Sequence, residues 1–382
     1  MRILFWSGNF WPMIGGAEVL AMRLILALQT RGHEVVVLTS QRPANSPRNE
    51  NYQGITIFRF PFRESIGNVH RLTELRQEVV KLKQKFAPDL IHINDVHKDH
   101  FFHLLTAEAY PVPSLVTLHL ELPDQVARRD SWLRQLLAKC DWVNCVSQTI
   151  LSQTRRAVPE IRSRSSVVFN GLEDTSMLDE ALPMNPPRIL CLGRLQKRKG
   201  FDVALSAFAR IAHRYPQMRL TIAGDGPERL TLERQADELG LKHAVDFLGW
   251  VIPAEVRSVI NASTVVVMPS KNEGFPLVAL EAALMARPVV GSRIGGLSEV
   301  VIHQRTGILV DPEDCVGMAD AISFLIQHPD KAAQLGQTAR QQAQNEFSWR
   351  RCVDGYDMLY QSLCKRSCSP VQESSVDPTL RK

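Results

Sequence analysis

A chain of 382 residues exceeds what one hydrophobic core usually serves, so its length predicts two domains of roughly 150 to 200 residues with a cleft between them. Hydrophobic residues at 45% and charged residues at 22% exclude a disordered or fibrous chain. The net charge of +5 is spread over short clusters such as Arg155-Arg156 and Lys197-Arg198-Lys199, which suits phosphate-bearing ligands or an anionic membrane surface. With no helix-turn-helix, zinc-finger or ribonucleoprotein signature in the sequence, a nucleic-acid partner is not expected.

Ile3-Leu4-Phe5-Trp6 ahead of Ser7-Gly8 is too short for the apolar stretch of a signal peptide, and no later run approaches the roughly 20 residues needed to span a bilayer. Seven scattered cysteines, odd in number and without metal-type spacing, read as reduced thiols. The expectation is a cytoplasmic protein. The basic stretch Arg71 to Lys85 could touch the inner face of a membrane, although a solvated helix face is the simpler reading.

In chain order, short apolar strands alternate with amphipathic helices: strand Arg2 to Ser7, helix Glu18 to Arg31 closed by Gly32, strand Glu34 to Thr39, then buried strands Leu90 to Ile93, Ser114 to Leu118, Trp142 to Val146 and Val167 to Phe169. This is the pattern of βαβ units in a parallel sheet. The acidic, proline-rich stretch Gly171 to Pro187 interrupts it and places a linker at 176–187, between a first domain at 1–175 and a second at 188–348. The alternation then restarts with strand Arg188 to Leu192, helix Phe201 to His213 and strand Arg219 to Ala223. It continues through helix Glu228 to Leu239, strands Val245 to Phe247 and Thr264 to Met268, helix Leu277 to Ala286 and strand Pro288 to Gly291. A final amphipathic helix is predicted over 349–366, and the Ser-, Pro- and charge-rich tail 367–382 reads as disordered. The fold class is α/β, two doubly wound Rossmann-like domains in tandem, and such sheets bind ligands at the carboxyl ends of their strands.

Two segments carry chemistry. Strand Arg188 to Leu192 runs through Gly193-Arg194-Leu195-Gln196-Lys197-Arg198-Lys199-Gly200 into a helix, which puts Arg194 and Lys199 beside a helix N-terminus whose free amides favour anions. A departing diphosphate accumulates negative charge, and two fixed cations can neutralise it where other enzymes use magnesium. In Pro269-Ser270-Lys271-Asn272-Glu273-Gly274-Phe275-Pro276-Leu277, a loop carboxylate at Glu273 can accept hydrogen bonds from sugar hydroxyls. Glu281, in the following helix, can take a bidentate pair from a ribose diol. The amides of Gly274 to Leu277 would face phosphates, with Gly274 permitting close backbone approach.

These residues resemble glycosyltransferase family 4, the retaining enzymes of GT-B fold. The resemblance rests on an ordered set: Gly15-Gly16-Ala17-Glu18, His119 after a strand, Gly193-Arg194-x4-Lys199-Gly200, Gly224-Asp225-Gly226-Pro227, Gly249, Glu273-x7-Glu281, Gly295-Gly296-x2-Glu299 and Thr306-Gly307. It implies Arg194 and Lys199 on the donor diphosphate, Glu273 on the donor sugar, Glu281 on the ribose, and the loop at Gly193 with the amides around Gly274, Phe275 and Leu277 on sugar and phosphate. From the first domain it implies Gly15 and Gly16 at the phosphate, His119 facing the reacting carbon, and a last helix that crosses back after Phe347-Ser348-Trp349. Pro276 departs from the glycine that many relatives carry and removes one amide from that list.

The implied activity is retaining transfer of a sugar from a nucleotide diphosphate sugar to a hydroxyl acceptor, whether glycan, lipid-linked sugar or small molecule, with no cofactor and no metal. The alternatives are a nucleotide-sugar-binding scaffold or sensor without turnover, and another GT-B enzyme such as an epimerase or phosphorylase. Front-face substitution, with Glu273 orienting, and double displacement through a covalent sugar–carboxylate intermediate both fit the residues. His97, His100 and His103 recur at helical spacing but lack a carboxylate or cysteine partner in sequence, which points to the acceptor side of the cleft or the surface rather than to a metal.

Overall fold

The computed structural model describes residues 1–368 apart from 14, 66, 124, 125, 127, 129 and 175–180. The first sheet contains β1 (Arg2–Ser7), β2 (Glu34–Ser40), β3 (Asn49–Tyr52), β4 (Ile55–Phe60), β5 (Leu90–Asn94), β6 (Ser114–Leu118), β7 (Trp142–Cys145) and β8 (Ser165–Val167), in the order β3-β4-β2-β1-β5-β6-β7-β8. The second contains β9 (Arg188–Leu192), β10 (Arg219–Ala223), β11 (Val245–Gly249), β12 (Val265–Met268), β13 (Val289–Ser292) and β14 (Gly307–Val310), in the order β11-β10-β9-β12-β13-β14. All pairings within these sheets are parallel except β3 with β4.

Helices cover both faces of each sheet, so central strands are apolar throughout rather than alternating. Ile3, Leu4, Phe5 and Trp6 of β1 are all fully buried. The hairpin β3–β4 and strand β14 are not among the strands predicted above. Asn49-Glu50-Asn51-Tyr52 is polar because it forms the outer edge, where charge and amide groups block further pairing. Its turn at Gln53 and Gly54 has positive φ at both residues (52° and 83°), the left-handed geometry that suits a two-residue hairpin.

β1 lies between β2 and β5, and β9 between β10 and β12, so the chain reverses its direction of travel across each sheet at these strands. Each reversal opens a crevice at the carboxyl end of the strand. The helix Gly16–Thr30 starts at the first crevice and buries Leu20, Ala21, Leu24, Ile25 and Leu28, a stripe at three- and four-residue spacing.

The chain crosses between the two sheets twice, and the crossings are hydrogen-bonded to each other. Leu172 N–H donates to the Phe347 carbonyl (3.1 Å), and Trp349 N–H donates to the Leu172 carbonyl (3.0 Å). Beyond this point the helix Trp349–Cys368 lies on the first sheet, burying Tyr356 and Tyr360. Tyr360 Oη sits 2.7 Å from His92 Nδ1, and Asp354 and Asp357 clasp Arg31 at 2.5 and 3.3 Å. Residues 176–180 of the predicted linker and the predicted disordered tail beyond 368 lie outside the described residues. No helix among the described residues is long and apolar enough to cross a membrane.

Candidate active site

The donor-side loops start from the two neighbouring strands β9 and β12. At the end of β9, Gly193 has φ of +148°, a conformation in which a side chain would be strained, and this turns the chain sharply into Arg194. The short 3-10 turn Lys197–Lys199 follows, and the helix Phe201–Ala212 begins behind it. The adjacent loop after β12 carries Ser270 and Glu273. Lys199 Nζ lies 2.5 Å from Glu273 Oε1, and Ser270 Oγ donates to the same oxygen at 2.7 Å. Glu273 is only 5% exposed, so its charge is satisfied by these two donors rather than by bulk water.

Across the cleft, His119 follows β6. Its Nε2 lies 2.9 Å from Asn94 Oδ1; because that oxygen accepts, Nε2 carries the proton and Nδ1 is left as an acceptor. Burial lowers the imidazolium pKa of His119, with Asp95 working in the opposite direction. The ring is therefore neutral near pH 7. A Cβ at Gly274 would collide with the His119 carbonyl oxygen, so glycine there is what lets the Glu273 loop close against the first domain. Gly274, expected from sequence to admit a ligand, has this backbone as its nearest neighbour.

Glu281 occupies the second turn of the helix Leu277–Leu284. Burial pushes its carboxyl up to about 7, against the downward pull of Arg23 and Arg257. Glu281 lines a cavity of about 230 Å³ together with Gly15, Gly16, Gly193, Arg194 and Leu277, so both domains contribute to its walls. Pro276 forms the N-cap of that helix with φ of −76°, the angle its ring imposes, and no side chain caps the first-turn amides. The Phe275 side chain points away from the cavity, packing on Phe169 and Phe347 at the crossing (ring centroids 5.4 and 5.2 Å apart). Only its backbone is left for a ligand.

A second cavity, about 740 Å³, opens in the first domain beside His119 and is lined by Arg42, Arg63, Asp95, His97, Glu121 and Trp132, among others. His97 sits 3.3 Å from Asp95. The spacing of His97, His100 and His103 in sequence points all three to the cleft or the surface, and the structure corrects this for two of them. His100 and His103 are buried, packed edge-on against Trp6 (5.8 and 6.2 Å), because a turn at 98–100 rotates them into the core.

Two interdomain carboxylates had no role assigned from sequence. Glu121 accepts from Asn272 Nδ2 and from Gln153 Nε2, each at 3.0 Å. Glu299 accepts from the amides of Gln148 and Thr149 (2.8 Å each) and from Thr149 Oγ1 (2.7 Å), capping the helix Gln148–Ala157 from the opposite domain. That helix has no acidic residue in its first turn, a local hint of an N-terminus that takes its anion from elsewhere.

Comparison with known proteins follows the same division. Residues 14–176 match the family model "Glycosyltransferase Family 4" and residues 173–342 match "Glycosyl transferases group 1". The chain is 29% identical to glycogen synthase from Mycobacterium tuberculosis, over 94% of each protein. Among solved structures it resembles sucrose-phosphate synthase from Thermosynechococcus elongatus (25% identity, TM-score 0.83, covering 96% of this chain and 99% of that one). It also shares its fold with Anabaena HepE, solved in complex with UDP-glucose (23% identity, TM-score 0.77, covering 95% of this chain and 100% of that one). With both halves of the cleft accounted for by these matches, the chain belongs to glycosyltransferase family 4 and is a glycosyltransferase of GT-B fold.

Proposed function

We propose that this enzyme is a retaining transferase that moves a sugar from a nucleotide diphosphate sugar to a hydroxyl acceptor, without a metal. The observation that carries the reading is the Lys199–Glu273 pair facing His119 across the cleft, next to a cavity walled by Arg194 and Glu281. The cavity takes the nucleotide: Glu281 receives the ribose diol, Arg194 and the uncapped amides at the start of the helix Leu277–Leu284 hold the diphosphate, and Gly16 admits it closely from the other side.

In this reading Lys199 neutralises the diphosphate as the bond from the anomeric carbon to its oxygen breaks and the electron pair passes to the leaving group. The acceptor oxygen forms its bond on the same face, and its proton passes to a donor phosphate oxygen. Two donors already hold Glu273 Oε1, which supports an orienting role for this carboxylate over nucleophilic attack. His119, neutral and fixed by Asn94, supplies an acceptor for a sugar hydroxyl near the reacting carbon. Cys140, Cys145, Cys191, Cys315 and Cys352 form no disulfide, which fits a reducing cytoplasmic setting.

A thermal-shift screen against uridine-, guanosine- and adenosine-diphosphate sugars identifies the donor, because a bound ligand raises the melting temperature by mass action. Turnover then shows as nucleoside diphosphate release with the anomeric configuration kept in the product by NMR. Donor binding with no release across an acceptor panel, or an inverted product, would overturn the reading.

A further inference from the structure

The 740 Å³ cavity has an imbalance in how its charges are met. Its carboxylates are occupied. Asp95 is held by His97 (3.3 Å) and by the Val96 amide (2.9 Å), buried Asp99 by Ser40 Oγ (2.5 Å), and Glu121 by Asn272 and Gln153. Its cations are not. Arg42 has one side-chain contact, Nη1 to Asn9 Oδ1 at 2.9 Å, and its Nε is buried without a partner. Among the described residues, Arg63 and Lys98 form no ion pair and no side-chain hydrogen bond.

The three cations arrive from different loops at the same end of the sheet: Arg42 follows β2, Arg63 lies on the short helix Phe62–Ser65 after β4, and Lys98 follows β5. Burial and then the charge of Arg63 lower the pKa of Arg42, with Asp99 working in the opposite direction, and Arg42 in turn opposes the charge that Asp95 induces on His97. Asp99 offsets the repulsion between Arg42 and Arg63 only in part, and a dianion placed beside the two guanidiniums relieves the rest while accepting several charge-assisted hydrogen bonds. Other parts of the lining are apolar, with Trp132 and the exposed Leu120 available to pack against a ring or a short chain. Leu118 and Leu120, which flank His119 in sequence, both line the cavity, so it lies beside the proposed reacting centre.

We propose that the hydroxyl acceptor carries a phosphate group, and that Arg42, Arg63 and Lys98 bind this phosphate while the acceptor hydroxyl is presented at His119. The proposal rests on the sugar-transfer reading above for the role of the site, and it adds the chemical class of the second substrate. The phosphate belongs either to a soluble phosphate ester or to a phospholipid headgroup, and the test distinguishes the two.

Calorimetric titration of the full chain with inorganic phosphate, a hexose 6-phosphate and the free hexose is run beside a UDP titration. The phosphate ester is expected to bind at least about tenfold more tightly than the free hexose, with Arg42→Ala and Arg63→Ala each weakening it by about tenfold and leaving UDP unchanged. Arg63 and Lys98 are exposed, so Arg63→Ala and Lys98→Ala carry the test if Arg42→Ala does not fold. Co-sedimentation with phosphatidylglycerol vesicles, against phosphatidylcholine controls, identifies the source. Arg63-dependent sedimentation assigns the phosphate to a lipid headgroup, and ester binding without sedimentation assigns it to a soluble acceptor. The proposal is overturned if phosphate, ester and anionic vesicles all fail to bind, or bind equally well to Arg63→Ala. Failure of UDP to bind the wild-type chain would instead count against the donor reading, whatever the phosphate arm shows.

Discussion

The two walls of the cleft handle charge in opposite ways. On the second-domain wall, Lys199, Ser270 and Glu273 satisfy one another within two loops that leave adjacent strands, and the result is a compact, nearly buried set. On the first-domain wall, Arg42, Arg63 and Lys98 converge from loops far apart in sequence and form no ion pair among the described residues. A pre-satisfied set costs little to hold in place and suits chemistry common to a whole family. The first-domain set is the one proposed above to be completed by the phosphate of a ligand.

The sharpest way to break this contrast is at Glu273. Glu273→Gln keeps the shape but weakens the Lys199 contact, and turnover should fall by about 10² to 10³ with the fold intact, as is typical when a group holding transition-state charge is lost. Near-wild-type turnover by a folded variant would remove the donor wall from the chemistry.

Lys83 provides a control for the other wall, being a buried cation that lines neither cavity. Its Nζ has Thr106 Oγ1 at 2.7 Å, and burial lowers its pKa from 10.5 to about 7. The unfolded chain therefore holds the proton between these values when the folded chain does not. The resulting penalty is complete below pH 7 and fades as the pH rises to 10.5. Lys83→Met should stabilise the protein by about 2 kcal/mol at pH 7, with the gain disappearing near pH 10.5, measured by denaturant unfolding across pH. A loss of stability at pH 7 would show that unpaired cations in this domain are structural after all.

Glu299 tests how the walls are held together. Glu299→Ala removes three hydrogen bonds to the helix Gln148–Ala157, and kcat/KM should drop by about tenfold with a larger radius of gyration by solution scattering. Unchanged scattering would mean that closure does not depend on this cap.

The smallest effect is expected at Glu281. Its carboxyl is raised from 4.5 to about 7, so the folded chain retains a proton that the unfolded chain releases. Stability from this group is full below pH 4.5 and is lost as the pH rises through 7. Glu281→Gln should flatten that decline and stabilise the free protein at pH 8 by about 1 kcal/mol, while weakening UDP binding. Parallel pH profiles for variant and wild type would place Glu281 outside the cavity's electrostatics.

Much of the molecule was legible in the amino-acid order. Central strands such as β1, β6, β9 and β10 appear as short, largely apolar runs because both faces are covered, and their limits coincide with those read from sequence. The edge strand β3 did not, since its polar residues follow no burial pattern and owe their pairing to β4 alone. Arg194, Lys199, Glu273 and Glu281 were identifiable because each lies a fixed short distance from a strand end, which places it at the cleft whatever the rest of the chain does. Spacing could not say that Gly274 packs on the His119 carbonyl, that Glu299 caps a helix of the other domain, or that His100 and His103 turn inward onto Trp6. Nor could it show that three cations from separate loops share one cavity without forming an ion pair among the described residues. Local order fixes which side chains reach the end of a strand; which of them meet there, and which are left unpaired, depends on the packing of distant segments and was decided only by the tertiary structure.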